Sequence, residues 1–498
     1  MFIQIRHVIT KHKESFFFAV FIGLLTYMYM MTNKLPNWDE VAAMFSKGTT
    51  ITSGRWGLEY TERLFPNFSL PWLWGCVSIC IVGITACLII EIFEIHNKAL
   101  KLILAGLMVS FPSLVSTFAY MFTLPSDALG LFLSVFAAYM AICSKDPIVK
   151  TVVPCASLIL SMSIYQAYLP VSVSLFIIYI IQRLLMGEPD HIRCDIDFFR
   201  FMAIIAVSCG AYFLITKLVL AYYHTSFNST AQGALDFKGI PFNIVSAYLH
   251  FIAFFITQSA SLVTTPLSQI VHIILILCIL WSLAAVLKKK KSVLISVLVI
   301  GLLSLFPLGV NMLFLFIKPQ SIGTMESYGF FTFYVLVAVI IDLQLDNLSY
   351  EGFRKISVYG LAVVLIVNVY VANRCWLQMQ FALENLRAVY TAVVTQINMT
   401  PGFDENSIIV FVGELPENKT LSPFSEEAQL EGVPYSMLNI YSRRNYLNRY
   451  LDYNIPIVDR KTVQEEGMSD LINEMNCYPY YGYIQKYDKY IIVKLGNG

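Results

Sequence analysis

Charge is what this chain has least of. Asp, Glu, Lys and Arg make up only 13% of its 498 residues, against roughly 25% in a soluble globular protein. The formal net charge of +1 argues against a nucleic-acid partner. The sequence holds no Gly-x-x-x-x-Gly-Lys-Ser/Thr loop to cradle a nucleotide. It also holds no His-Glu-x-x-His and no Cys-x-x-Cys pair, and its seven histidines are scattered. No cofactor is therefore required by the sequence, and a metal site is not signalled; a divalent ion held by carboxylates alone stays open. No internal repeat is visible, which counts against the usual secondary transporter.

Apolar residues fill the space that charge leaves, at 57% of the chain. Runs of membrane-spanning length recur through the first three-quarters, the pattern of a polytopic α-helical membrane protein. Eleven spans are expected: Ser15 to Thr32, Trp72 to Phe93, Leu100 to Thr117, Ala128 to Cys143, Thr151 to Tyr165, Pro170 to Leu185, Phe201 to Tyr223, Gln269 to Leu287, Ser292 to Ile317, Tyr328 to Ile341 and Ile356 to Val371. The first run follows Arg6, Lys11 and Lys13, as a signal peptide would. It is long, and Asn33-Lys34-Leu35-Pro36 offers no cleavage site, so it reads as a retained anchor. Basic residues set the sidedness: each expected inner segment carries some, the strongest being Lys288 to Lys291. The N-terminus is then expected in the cytoplasm and the C-terminus outside. Seven cysteines (Cys76, Cys80, Cys87, Cys143, Cys155, Cys209, Cys278) lie in apolar runs and read as small hydrophobes. Cys375 and Cys477 could pair if their side is oxidising.

Two outer segments stand out. Residues 33–71 are rich in Trp, Phe and Leu, with Gly57 to Phe65 expected as a short amphipathic helix at the interface. Residues 224–267 contain Ile240 to Gln258, apolar enough to lie in the interface or re-enter. The expected organisation is a transmembrane domain, 1–373, followed by a small α/β domain, 374–498. In that tail Ser407 to Val412 and Ile455 to Val458 read as strands. Ser436 to Leu451 and Ser469 to Met475 read as helices, and Tyr481 to Lys486 with Tyr490 to Leu495 as a hairpin.

The few polar groups at the outer surface carry the candidate chemistry. Asp39 and Glu40, in Asn37-Trp38-Asp39-Glu40, offer a carboxylate that could serve as a general base on a hydroxyl; the same pair could simply end a helix beside an interfacial Trp38. In Ser53-Gly54-Arg55-Trp56 the guanidinium of Arg55 suits a phosphate, and Gly54 allows close backbone approach. Trp56 alone would explain the segment as an interfacial anchor. Lys217 and Lys318, at outer helix ends, could reach a phosphate or only snorkel. Tyr165, Gln166 and Tyr168 form an aromatic-amide corner suited to a sugar, or to an interface belt. Tyr120 and Asp127 mark the preceding outer corner, where Asp127 could bond a sugar or cap a helix.

Taken in order, these features resemble the GT-C superfamily of polyprenyl-phosphate-dependent glycosyltransferases. The nearer likeness is to the bacterial Gtr-type O-antigen glucosyltransferases, serotype-converting enzymes often encoded on phages. It rests on Asn37-Trp38-Asp39-Glu40, Ser53-Gly54-Arg55-Trp56, Tyr165-Gln166-Ala167-Tyr168, and Tyr478-Pro479-Tyr480-Tyr481-Gly482-Tyr483 before the closing Ile491-Ile492-Val493-Lys494-Leu495. The resemblance implies glucose transfer from undecaprenyl phosphate glucose to lipid-linked O-antigen, in the bacterial inner membrane and on its periplasmic face. It implies Asp39 or Glu40 as base, Arg55 with Lys217 or Lys318 at the donor phosphate, and a separate donor synthase and flippase as partners. Trp38, Trp56, Tyr120, Asp127, Tyr165, Gln166 and Tyr168 are the sugar-binding candidates. Competing readings are a flippase for the same lipid-linked sugar, or a GT-C enzyme acting on lipid A or protein. Few ionisable residues lie at mid-membrane depth, which disfavours coupled transport.

Overall fold

The computed structural model describes residues 2–43, 50–61, 64–65, 69–186, 191–229, 236, 238–257, 265–290, 292–318, 323–343, 351–415, 430, 432, 440–460, 463 and 467–496. They fall into two compact units: Met1–Thr32 with Lys47–Asn373, and Asn33–Ser46 with Arg374–Gly498. The first part of the expected outer loop, with Asp39 and Glu40, thus groups with the tail.

The first unit is a helical membrane body. Among the described residues ten helices are long and apolar enough to cross a membrane, and the bent pair Lys98–Ser110 and Pro112–Phe118 makes an eleventh. The expected unbroken helix over Leu100 to Thr117 bends there by 42°, because Pro112 holds Phe111 in an extended conformation (φ −63°, ψ 138°). Two segments differ from the expected map, one read as a span and one as an interfacial or re-entrant stretch. Val149–Ile164 is an apolar helix of only 16 residues. Ile240–Ile252 continues through a π turn, Ala253–Thr257, to reach span length. The run expected to end at Ile317 stops at Val310, beyond Pro307, and a 3₁₀ turn, Met312–Leu315, follows.

Burial orders these helices. Met325–Asp342 is 94% buried over its apolar window, whereas Ile196–Tyr222 and Ile240–Thr257 are each 22% buried; the first is the centre of the body and the other two present apolar faces outward. Several polar side chains inside are satisfied locally. Thr26, Ser174 and Ser208 donate to carbonyls one turn back, and Ser134 pairs with Ser172 across helices at 2.6 Å. At one end of the body the Asp342 carboxylate accepts the backbone N–H groups of His96 (2.7 Å) and Asn97 (2.9 Å). Asn97 in turn caps Lys98–Ser110 by accepting from Leu100 N–H.

The second unit contains a four-stranded sheet of order β2-β1-β4-β3, with β1 (Ile408–Val412), β2 (Ile457–Asp459), β3 (Ile484–Tyr487) and β4 (Tyr490–Lys494). β1 runs parallel to β2 and β4, and β3–β4 is the antiparallel hairpin expected around Asp488, whose φ is +51°. Val410, Val412, Met468, Ile472 and Ile492 pack on one face, in agreement with the period of two along each strand. The parallel β1–β2 connection contains the helix Ile440–Tyr450. The expected start of that helix, at 436–439, lies outside the described residues.

The helix expected to end at Val371 continues to Asn398. The polar composition after Arg374 hid a second amphipathic pattern: Cys375, Met379, Ala382, Leu386, Val389, Val393 and Ile397 are all buried, at helical spacing. No disulfide joins Cys375 to Cys477, so the pairing left open by the sequence is not made.

Candidate active site

In the first unit the segment before Arg55 is a built turn. A 3₁₀ turn, Thr50–Ser53, leads into Gly54 at φ +76°, and a helix, Trp56–Thr61, starts two residues later. Gln166 Nε2 donates to Ser53 O (3.2 Å) and to Tyr212 Oη (2.7 Å), and Tyr212 Oη donates to Gly54 O (3.0 Å). Asn228 adds two more bonds, Nδ2 to Ser53 Oγ (2.9 Å) and its N–H to Thr52 O (3.0 Å). The turn is therefore held by three residues from distant parts of the sequence.

That turn delivers Arg55 onto an aromatic face. Its Cζ lies 4.3 Å from the centroid of Tyr165, within cation–π range. The Tyr165 hydroxyl donates to Glu326 Oε1 at 2.6 Å, and the other oxygen of Glu326 accepts Gly323 N–H at 2.9 Å. Asp127, 4% exposed, faces Arg55 electrostatically, and so does Tyr168. Tyr168 sits edge-on to Tyr165, at 5.4 Å. The result is one half-buried guanidinium on a tyrosine ring, with carboxylates nearby. A planar fork so held is preorganised for an oxyanion such as a phosphate.

Five candidates read from sequence in this unit therefore meet: Arg55, Asp127, Tyr165, Gln166 and Tyr168. Trp56 packs beside them, buried, its Nε1 donating to Thr216 Oγ1 at 3.1 Å; it is an internal pin where a headgroup anchor was the alternative. Tyr120 is half-buried at the corner, 6.5 Å from Phe122. Lys217 is exposed on its helix with Nζ 4.6 Å from the Phe213 ring, and Lys318 is half-buried just after Ile317. Sequence reasoning missed Tyr212, Asn228 and Glu326. Glu326 carried a usable signal, an acidic residue at the N-terminal end of an apolar helix.

In the second unit Asn37-Trp38-Asp39-Glu40 opens a short helix, Trp38–Ala43. Asn37 caps it, its Oδ1 accepting Glu40 N–H at 2.8 Å. Glu40 is 1% exposed, while Trp38 and Asp39 are half-buried. The helix Ile440–Tyr450 abuts this one. Arg449 Nη1 donates to Val41 O (2.8 Å) and Ala42 O (3.1 Å). Tyr450 lies within electrostatic range of Glu40; burial, and then that negative charge, push its phenol well above the usual tyrosine range. Among the described residues, no three His, Cys, Asp or Glu side chains gather to hold a metal.

The profile of the glucosyl transferase family GtrII matches residues 28–342. The chain belongs to the GtrII glucosyl transferase family. No curated protein and no solved structure matches it. The GtrII match takes in both clusters' N-terminal contributors, Asp39 and Glu40 as well as Arg55, Asp127, Tyr165 and Glu326. The α/β part of this GtrII chain, with Arg449 and Tyr450, lies beyond the matched segment.

Proposed function

We propose that this GtrII chain transfers glucose from undecaprenyl phosphate glucose to a sugar hydroxyl of lipid-linked O-antigen, on the periplasmic face of the bacterial inner membrane. The observation that carries the donor assignment is the Arg55 cluster: a preorganised guanidinium in a helical membrane body suits a phosphate that arrives on a lipid. The basic segments support an N-terminus in the cytoplasm and the α/β unit in the periplasm.

The reaction is a single inverting displacement. Glu40 takes the proton of the acceptor hydroxyl as its oxygen bonds to glucose C1, and the bond from C1 to the phosphate oxygen breaks. Undecaprenyl phosphate leaves with its negative charge met by Arg55, which Lys217 or Lys318 assists. Glu40 is favoured over Asp39 because it is the buried one, and a carboxylate shielded from water is the stronger base. Trp38, Trp56, Tyr120, Asp127, Tyr165, Gln166 and Tyr168 are the sugar-contact candidates. A donor synthase and a flippase supply the substrate.

The test is O-antigen composition and linkage in a bacterium carrying this chain and the donor-making partners. Wild type, Glu40→Gln and Asp39→Asn are compared at matched membrane levels. Wild type should add a glucose branch, Glu40→Gln should lower its rate about 10²–10⁴-fold, and Asp39→Asn should keep most of it. Glucose on lipid A or protein would replace the acceptor. Faster crossing of lipid-linked glucose without transfer would favour a flippase.

A further inference from the structure

We infer that Arg449 and Tyr450, adjacent at the end of the helix Ile440–Tyr450, are positioning residues for the Glu40 carboxylate, so that the C-terminal α/β unit forms part of the catalytic apparatus. The inference rests on Glu40 as the base of the proposed transfer.

Three observations carry it. Arg449 makes two hydrogen bonds to consecutive carbonyls, Val41 O and Ala42 O, within three residues of Glu40. One charged nitrogen, Nη1, donating to two carbonyls fixes the orientation of a helix that, at six residues, is too short to hold itself. Next, Tyr450 ends the helix that abuts Trp38–Ala43 and lies within electrostatic range of Glu40, while its ring stacks on Tyr446, centroids 5.1 Å apart and planes at 14°. The phenol is locked by packing and stays protonated, a fixed dipole within electrostatic range of the carboxylate. Last, among the described residues the buried Tyr450 hydroxyl and the buried Asn37 Nδ2 find no hydrogen-bond partner. Buried donors rarely go unsatisfied. Both belong to the packing of the helix that carries Glu40, Asn37 as its cap and Tyr450 on the helix that abuts it, where a donor can steady negative charge on the carboxylate.

If these residues act through Glu40, loosening them should cost turnover more than binding. Arg449→Ala removes both bonds, and a base misplaced by about 1 Å can cost about 10²-fold. Arg449→Lys should recover part of that loss. Tyr450→Phe keeps the stacked ring and deletes only the hydroxyl.

The experiment measures glucose transfer by the full-length protein in native membranes, from polyprenyl phosphate glucose to a lipid-linked glycan. It compares wild type, Arg449→Ala, Arg449→Lys, Tyr450→Phe, Glu40→Gln, and Glu40→Gln combined with Tyr450→Phe. Protease resistance of the membrane-bound protein reports folding. The expected result is a kcat lowered tenfold or more in Tyr450→Phe with donor KM within twofold of wild type. The double variant should be no slower than Glu40→Gln alone, since the hydroxyl has no base left to serve. A Tyr450→Phe enzyme as fast as wild type, or losses that multiply in the double variant, would overturn the inference while leaving the transfer reading intact. A fully active Glu40→Gln would instead remove the base that both readings share.

Discussion

At Gly54 the chain runs through the left-handed region, φ +76°, where a Cβ is costly. A Cβ there would stand 2.8 Å from Tyr212 Oη and 3.1 Å from Gln166 Nε2, two of the groups that hold the turn. Gly54→Ala should therefore loosen both bonds and displace Arg55, with a strain of about 1–3 kcal/mol. Glucose transfer should fall at least tenfold while the protein still reaches the membrane; unchanged activity would mean the turn does not set the guanidinium. Arg55→Lys probes the same site from the other side. Lysine keeps the charge but loses the planar fork and the stacking on Tyr165. The expected outcome is kcat/KM down about tenfold or more, equivalent to about 1.4 kcal/mol of transition-state binding, and a larger loss in Arg55→Ala. Equal rates in Lys and wild type would reduce the role of Arg55 to charge alone.

At the scale of elements, what the sequence showed depended on how local the cause was. The apolar runs and the β3–β4 hairpin follow from periodicities of 3.6 and 2 within each segment, and the spans and strands formed near the expected residues. The Arg374–Asn398 stretch was equally periodic, but its polar composition drew attention away from the spacing of Met379, Ala382, Leu386, Val389 and Val393. The candidate site divides in the same way. Arg55, Tyr165 and Gln166 could be singled out from short motifs, whereas what Tyr212, Asn228 and Glu326 add at the site comes from bonds to partners 158 to 175 positions away, which no local pattern reveals. Asp342 is a further long-range device. It ends the most buried helix and accepts the N–H groups that begin Lys98–Ser110. Asp342→Ala would leave two backbone donors without that partner, at about 1–3 kcal/mol. Heating the detergent-solubilised protein should show earlier loss of the folded form, with Asp342→Asn intermediate because its amide oxygen still accepts.

For the whole molecule, the number of crossings fixes the side on which the α/β unit lies. Length and composition admit Ile240–Thr257 as a span and leave Val149–Ile164, at 16 residues, as a shorter helix. Charge points the other way. If Val149–Ile164 did not cross, Lys145 and Lys150 before it would face the opposite side from Arg183 after the next helix, against the inside preference of basic residues. At about 24 Å it is short for a hydrocarbon core of about 30 Å, but Lys150 at its start can snorkel. If Ile240–Thr257 crossed fully, the run from Lys288 to Lys291 would be carried outward, which the same preference disfavours more strongly. Both conflicts vanish when Val149–Ile164 crosses and Ile240–Thr257 stays in the outer leaflet or re-enters. Eleven crossings then place the termini on opposite sides. A phosphatase reporter that is active only in the periplasm checks this directly. Fused after Gly498 it should be active, and inserted after Lys291 it should be silent. Activity after Lys291 would mean that Ile240–Thr257 crosses. With Val149–Ile164 also crossing, the count becomes twelve and returns the α/β unit to the cytoplasm, away from a periplasmic acceptor.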